Sequence, residues 1–125
     1  MAKQTVPDDP DYRRKLADYE RVVATIPGLE RKGAANPYTA INGNMSSYLH
    51  PRGAVALRLP PGLREEFLAV HDTTLFEAYG IVQKEYVTVP DALLADTAAL
   101  EPYFRASVDY VSGLKPKPTK GKKKG

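Results

Sequence analysis

The stretch from Tyr38 to Leu59 constrains the fold most, because it predicts two β-hairpins in a row. Asn42-Gly43 is the favoured pair for a two-residue type I′ turn, since both residues tolerate a positive φ. Pro51-Arg52-Gly53 then separates two more extended runs, 45–50 and 54–59. The sequence therefore predicts a small antiparallel sheet on which the other elements pack.

The hydrophobic pattern selects the register of the second hairpin. A two-residue loop would put Val55 and Leu57 on the face opposite Leu49, whereas a three-residue loop puts all three on one face. Gly53 suits the left-handed position that such a loop requires. The predicted pairs are therefore His50–Ala54, Leu49–Val55 and Ser47–Leu57.

The same pairing, carried back through the Asn42-Gly43 turn, sets Ala40 opposite Met45 and Tyr38 opposite Ser47. It divides the strand residues between a core face and an outer face. The predicted core face carries Tyr38, Ala40, Met45, Ser47, Leu49, Val55, Leu57 and Leu59. The predicted outer face carries Thr39, Ile41, Asn44, Ser46, Tyr48, His50, Ala54, Ala56 and Arg58.

Apolar residues at spacings of three and four predict helices before and after the hairpins. The stripes are Tyr12, Leu16, Tyr19, Val23 and Ile26 near the N-terminus, and Leu100, Phe104, Ser107, Val111 and Leu114 near the C-terminus. A shorter helical pattern covers 63–70, and 82–89 alternates like a half-buried strand. The predicted fold class is α+β: an antiparallel sheet, made of a meander plus one or two further strands, flanked by an N-terminal, a middle and a C-terminal helix.

The positive charge is concentrated at the C-terminus. Residues 115–125 hold six lysines and no acidic residue, while the other 114 residues carry 12 Lys+Arg and 15 Asp+Glu, a net charge of −3. The lysines are Lys115, Lys117, Lys120, Lys122, Lys123 and Lys124. Because this segment has no apolar residue, we predict a disordered tail. We expect a flexible N-terminus over 1–10 and a single domain over 11–114.

Composition excludes several classes of chemistry and location. There is no cysteine, so disulfides and thiolate nucleophiles are excluded. No apolar run approaches the roughly 18 residues of a membrane span, and the N-terminus lacks the apolar core of a signal peptide. We therefore expect a cytoplasmic protein with no membrane partner.

The sequence contains no recognisable catalytic or metal-binding motif. His50 and His71 each lack a second histidine at ligand spacing, and Ser46-Ser47 does not lie in a nucleophile elbow. The carboxylates are scattered along predicted helix surfaces. We predict no catalytic residue, no metal site and no cofactor.

The outer face offers one candidate binding surface. Tyr48 and Arg58 lie on it, and Lys84 and Tyr86 would join them if the last strand pairs nearby. Aromatic and cationic side chains together can hold nucleic acid or an acidic ligand. The same residues could instead surround a face covered by a helix or a second subunit, which the small apolar residues nearby favour. We accordingly expect a homodimer.

The lysine tail is the second candidate feature. Clustered lysines bind nucleic acid without sequence specificity through the phosphate backbone. Lysine-rich tails also serve solubility alone, and the sequence leaves both roles open.

Four parts of the sequence resemble the N-terminal domain of the TfoX/Sxy family. They are residues 36–45, residues 56–59, Lys84-Glu85-Tyr86-Val87-Thr88-Val89-Pro90 and the closing helix, and the resemblance spans roughly 12–114. It implies an α+β domain with an antiparallel sheet flanked by helices, and it implies no catalytic residues. The family is named after regulators of natural competence, which usually carry a second, helical domain that the resemblance does not cover.

The predicted function is a non-enzymatic binding or regulatory module resembling that N-terminal domain. Two alternatives stay open: a small-ligand-binding protein or enzyme that uses the outer face, and a nucleic-acid accessory protein that acts through the tail. A deep polar pocket on the outer face would favour the first alternative, and a flat or covered face would not.

Overall fold

A computed structural model describes residues 10–33, 37–78 and 80–115. In these ranges the elements are α1 (Pro10–Ala24), β1 (Tyr38–Ile41), β2 (Asn44–Leu49), β3 (Val55–Arg58), α2 (Pro61–Val70), β4 (Leu75–Ala78), β5 (Ile81–Val89), α3 (Asp91–Leu94) and α4 (Thr97–Ser112). The α+β class predicted from the sequence is confirmed. Apart from Pro10 and Lys115, the predicted flexible N-terminus and disordered tail lie outside the described residues.

The five strands form one antiparallel sheet in the order β1-β2-β3-β5-β4. The helices pack on one face of it, with α4 against β1, β2 and β3 and with α2 against β5. The core between the two layers is apolar and includes residues of all four helices. Its fully buried members include Tyr19, Leu49, Val55, Leu57, Leu59, Phe67, Val87, Leu100 and Phe104.

The register of the β2–β3 hairpin agrees with the sequence prediction. Leu49 pairs with Val55 and Ser47 with Leu57, so the apolar residues share the helix-packed face. Gly53 has a φ of 90°, the left-handed conformation that the three-residue loop requires. Alternation of apolar residues was sufficient to fix this hairpin because one of its faces is buried.

The β1–β2 hairpin departs from the predicted register at a β-bulge. Ala40 pairs with Met45 as expected, but Tyr38 pairs with Tyr48 instead of Ser47, because the register shifts between Thr39 and Ala40. The extra residue is in β2, where Ser46 and Ser47 lie against one residue of β1. The hydroxyl of Thr39 lies 2.6 Å from that of Ser46 and 2.7 Å from that of Ser47. The bulge thus brings both serine hydroxyls to one buried partner.

The bulge reverses the faces predicted for β1 and the start of β2. Tyr38 and Met45, expected in the core, line a surface groove with Tyr48. Thr39 and Asn44, expected on the outer face, are buried. The side-chain amide of Asn44 donates a hydrogen bond of 3.0 Å to the carbonyl of Lys115, just after α4. The faces of Ala40, which pairs with Met45, and of Ile41, which pairs with Asn44, are exchanged as well. Ser46 is also buried, and its carbonyl accepts from Ser107 of α4.

The β4–β5 hairpin folds its outer end over the sheet. Leu75 pairs with Val87, but Phe76 pairs with Gln83, so residues 84–86 of β5 face no residue of β4. The strands of Phe76 and Tyr48 are three spacings apart in the sheet, roughly 14 Å. Their ring centroids nevertheless lie only 5.4 Å apart. The three residues of β5 that have no partner in β4 therefore let the end of the hairpin bend across the outer face.

Candidate functional site

An aromatic cluster occupies the centre of the outer face. Phe76 is 1% exposed and packs with Ala56 and Ala78. The Tyr48 ring meets Phe76 edge-on at 78°, and the rings of Tyr48 and Tyr86 are 6.3 Å apart. Edge-to-face contacts of this kind are the arrangement that aromatic pairs prefer. Part of the outer face is thus closed by the chain's own β4–β5 hairpin.

Arg58 is held by groups of the same protein. Its Nε donates to Glu85 Oε1 at 2.7 Å, and its Nη1 donates to the carbonyl of Met45 at 3.2 Å. The guanidinium also lies 5.7 Å from the centre of the Tyr86 ring, whose hydroxyl donates to the same carbonyl at 3.0 Å. Burial alone would lower the pKa of Arg58, but the hydrogen bond and the negative charge of Glu85 raise it overall. Arg58 therefore stays charged, and Glu85 balances its charge.

The structure brings together three of the four residues of the binding surface predicted from the sequence. Tyr48 and Tyr86 are in ring contact, and Arg58 lies over Tyr86. Lys84 is exposed and is not part of the ring contacts that join the other three. Of the tail residues, Lys115 is described, and Lys117, Lys120, Lys122, Lys123 and Lys124 lie outside the described part of the chain.

An open groove lies beside the aromatic cluster. It is lined by Tyr38, Met45, Tyr48 and Gln83, and its volume is about 260 Å³. Its walls are tyrosine rings and a thioether, while the Gln83 amide supplies both a donor and an acceptor. The volume is slightly below the range of about 300–1,000 Å³ typical of small-molecule sites. The groove therefore fits one ring system or a short side chain.

The sequence analysis missed three of the four groove residues. Met45 and Tyr38 were assigned to the wrong face because the bulge was not expected, and Gln83 reaches the groove only because the β4–β5 hairpin bends. One sequence signal did exist: two adjacent serines opposite a threonine, in strands that otherwise alternate. Buried hydroxyls need hydrogen-bond partners, so these three side chains favour a local distortion of the strands that lets them bond to each other.

The hairpin end extends the apolar surface past the groove. Ile81 is 63% exposed and Val82 is 47% exposed, both just before Gln83 in β5. Exposed large apolar side chains next to a groove are typical of contact surfaces.

The hydroxyl cluster on the other face of the sheet is enclosed. Ser46 and Ser47 are 2% and 1% exposed, and Ser107 donates a bond of 3.3 Å to the Ser46 carbonyl. Burial raises the pKa of Tyr19, whose hydroxyl bonds to Ser47. These buried hydroxyls bond to one another and so hold the bulge in place.

The two histidines have hydrogen-bond partners within the fold and belong to no cluster of metal ligands among the described residues. His50 accepts a hydrogen bond from the Arg52 amide at its Nδ1, at 3.1 Å, and the centre of its ring lies 6.0 Å from that of Phe76. His71 Nε2 lies 3.1 Å from the Tyr103 hydroxyl. Among residues 10–33, 37–78 and 80–115, no three histidine or acidic side chains are placed to hold a metal ion.

No family model matches this chain, and no curated protein matches it in sequence. The structure defines it as an α+β protein, and the TfoX/Sxy resemblance stays a prediction. None of the helices in the described ranges has the length and apolar character needed to cross a membrane.

Proposed function

We propose that this protein is a non-enzymatic binding or regulatory module, similar to the N-terminal domain of the TfoX/Sxy family. The contact surface is the groove of Tyr38, Met45, Tyr48 and Gln83, together with the exposed end of the β4–β5 hairpin. The observation that supports this proposal most is the layering: the helices pack on one face, and the hairpin end leaves this apolar strip of the other face open.

The chemistry of the groove favours binding over catalysis. General acid–base catalysis needs a proton-transfer group within hydrogen-bond reach of the substrate. Arg58 and Glu85 lie beside the cluster, and they are bonded to each other. A deep polar pocket would favour the small-ligand or enzyme alternative, but this groove is apolar and open. A contact surface uses apolar walls of this kind.

Site-specific photocrosslinking tests the contact surface without assuming the ligand. A photoreactive phenylalanine analogue is placed at position 83 in the groove or, as the control, at position 98, which is exposed on α4 at the helix side. In lysate we expect position 83 alone to give a defined adduct, and we expect excess unlabelled protein to suppress it. Identical adducts from both positions would refute the proposed surface.

A second candidate is a nucleic-acid accessory function that acts through the tail. It is favoured by charge: residues 115–125 carry six lysines, while the preceding 114 residues have a net charge of −3. The positive potential is thus confined to one end of the chain, where it can neutralise phosphates. Binding of a duplex DNA by the full chain, and its loss in a chain that ends at Lys115, tests this candidate.

We also propose that the protein forms a homodimer through the same outer face. Ile81 pairs with Ala78 and so lies on the same side of the hairpin as Phe76 and Gln83. It is 63% exposed, and burying it against a second copy would remove apolar area from water. Closed twofold dimers are the commonest assemblies of soluble proteins.

A further inference from the structure

We propose that His50 is a pH-sensitive switch for the contact surface: its protonation releases the end of the β4–β5 hairpin from the outer face. The groove beside that hairpin is then present at neutral pH and lost in mild acid. This inference rests on the proposed function, because it assigns a means of regulation to the same surface.

The loop between β2 and β3 holds the end of the hairpin through Arg52. The guanidinium of Arg52 donates a hydrogen bond of 3.0 Å to the carbonyl of Glu77, in β4. It also lies 5.6 Å from the centre of the Phe76 ring, which is 1% exposed. A charge-assisted hydrogen bond and a cation near an aromatic ring both stabilise this contact. Arg52 therefore connects the loop to the part of the hairpin that covers the outer face.

The neutral form of His50 fixes the backbone of Arg52. Its Nδ1 accepts a hydrogen bond of 3.1 Å from the Arg52 amide, and a ring nitrogen accepts only while it carries no proton. After protonation, two N–H groups would point at each other. Rotation of the ring would disturb Phe76, whose ring centre is 6.0 Å away. Movement of the Arg52 backbone would displace its guanidinium from the hairpin, so either response weakens the contact.

The charges nearest to His50 oppose its protonation while the hairpin end is in place. Burial, and then the charge of Arg52, lowers the pKa of His50. An imidazolium and the Arg52 guanidinium would lie beside the same Phe76 ring, and like charges repel. On β4, Glu77 meets the loop with its carbonyl. Because Glu77 is exposed, its carboxylate is screened by water.

The charges on the helices beside the loop balance each other. On α1, the Lys15 side chain lies 3.5 Å from the position that a Cβ of Gly53 would take. Its ammonium pairs with Asp91 of α3 and with Asp11, and Asp11 also pairs with Arg14. These two cations and two carboxylates leave no excess negative charge for an imidazolium. The proton therefore binds better to the released state, and this difference is what shifts the population.

Release of the hairpin end removes one wall of the groove. Phe76 pairs with Gln83 across β4 and β5, and Gln83 lines the groove together with Tyr48. The edge contact between Phe76 and Tyr48 brings these walls together. When Phe76 leaves the outer face, Gln83 leaves with it. The contact surface is thus coupled to the protonation of His50 through Phe76.

The test uses single cysteines, because the chain has no natural cysteine. Ala56→Cys puts a thiol beneath the hairpin end, at a residue that is 0% exposed and packs with Phe76. Ala78→Cys gives a second buried thiol in the same cluster. Ala98→Cys, at an exposed residue of α4, corrects for the reactivity of thiols at each pH. Ser107→Cys, at a buried residue between α4 and the sheet, reports global unfolding.

The rate of reaction with a dithiodipyridine is measured one pH unit above and one pH unit below 6.5, the usual pKa of histidine. Because His50 has its usual pKa in the released state, the lower pH favours release by up to about tenfold. After correction with Ala98→Cys, we expect the thiols at positions 56 and 78 to react faster at the lower pH by up to this factor. The thiol of Ser107→Cys should stay protected.

Substitutions in the Ala56→Cys and Ala78→Cys proteins identify the group responsible. His50→Gln keeps a side-chain acceptor that does not titrate, so it should give the same corrected rate at both pH values. His71→Gln, the matched control, should keep the increase in acid. Arg52→Ala removes the guanidinium and should give fast reaction already at the higher pH. Thermal melts confirm that each variant is folded.

The inference is overturned if the thiols at positions 56 and 78 are equally protected at both pH values, or if the increase in acid persists in His50→Gln. It also fails if Ser107→Cys becomes reactive in parallel, because the acid effect is then global unfolding. These outcomes leave the proposed function untouched, since that stands or fails by the crosslink at position 83 at neutral pH.

Discussion

The phenolic oxygen of Tyr19, in α1, lies 2.8 Å from the hydroxyl oxygen of Ser47, in β2. Both residues are buried, and the Thr39 hydroxyl reaches Ser47 from β1. The first helix therefore fixes the bulge from the core side. Because the bulge turns Tyr38 and Met45 outward, this buried hydrogen bond supports the shape of the groove on the opposite face.

Thr39→Val should destabilise the fold by about 1–3 kcal/mol, because it leaves the hydroxyls of Ser46 and Ser47 with one partner fewer in a buried site. The measurement is urea unfolding followed by circular dichroism. Thr74→Val, at an exposed threonine, is the control and should change stability by less than about 0.5 kcal/mol. Equal unfolding midpoints for Thr39→Val and the parent would show that the hydroxyl network does not hold the bulge.

Truncation of the core should be costly on both layers. Leu57 and Phe104 are 0% and 1% exposed, one in the sheet and one in α4. Leu57→Ala and Phe104→Ala should each lower the free energy of unfolding by about 2–5 kcal/mol, through lost burial and the cavity left behind. Val70→Ala, at a residue 63% exposed, should have almost no effect. An unchanged urea midpoint in either core variant would contradict the described packing.

These core positions show what the sequence could predict. Leu57 was placed inward by strand alternation, and Phe104 by the helical stripe, since in both elements one face must be buried. The bulge at Ser46 could not be predicted in the same way, because it depends on Thr39 and on Tyr19, 27 positions away from Ser46. Hydrogen-bond partners that distant in the chain leave no periodic signal.

The candidate surface was predicted only in part for the same reason. The apolar pattern predicted the β2–β3 register, and this register places Tyr48 and Arg58 on the same face. Tyr86 joins them because β5 pairs with β3. Gln83 lies beside Tyr48 only because the β4–β5 hairpin bends. The three residues of β5 that have no partner in β4, and so permit the bend, have no distinctive sequence. The role expected for Arg58 was also incomplete, since its ion pair with Glu85 was not predicted.

Self-association should depend on the hairpin end. At tens of micromolar we expect sedimentation velocity to show a dimer, and Ile81→Asp should shift the protein to monomer, because a charge would be buried in the interface. Lys84→Asp, at an exposed position of the same strand, serves as the control. Arg58→Glu is a poor probe, since it also breaks the ion pair with Glu85. A monomer at every concentration of the parent protein would remove the homodimer proposal.

Stability should fall in mild acid partly because of His50. Burial, and then the charge of Arg52, lowers the pKa of this histidine from its usual value of 6.5. The unfolded chain therefore binds the proton first, so the contribution of His50 to stability is complete above about pH 6.5 and is lost as the pH falls below that value.

The measurement for His50 is the urea midpoint at a series of pH values. His50→Gln should flatten the dependence just below pH 6.5, and His71→Gln is the comparison variant. A parent protein whose midpoint is the same on both sides of that pH would contradict the assigned direction of the shift.

Binding of duplex DNA should be electrostatic and should depend on the tail. With six lysines available, the slope of log K against log salt should be no steeper than about −5.4 for duplex DNA. A chain that ends at Lys115 keeps the hydrogen bond to Asn44 and should lose this binding. Its melting temperature should change little, because the removed segment has no apolar residue to bury. Duplex affinity retained by the shortened chain at physiological salt would place the phosphate contacts on the folded domain.

The most direct test of the groove as the contact surface is a methyl spectrum of the protein. The chain has two methionines, Met1 and Met45, so carbon-13 labelling of methionine methyl groups gives one probe inside the groove, assigned with Met45→Leu. When the protein is concentrated to tens of micromolar, we predict that the Met45 methyl signal shifts in proportion to the fraction of dimer, and that Ile81→Asp abolishes this shift. A Met45 signal that stays in place while sedimentation reports a dimer would contradict the account.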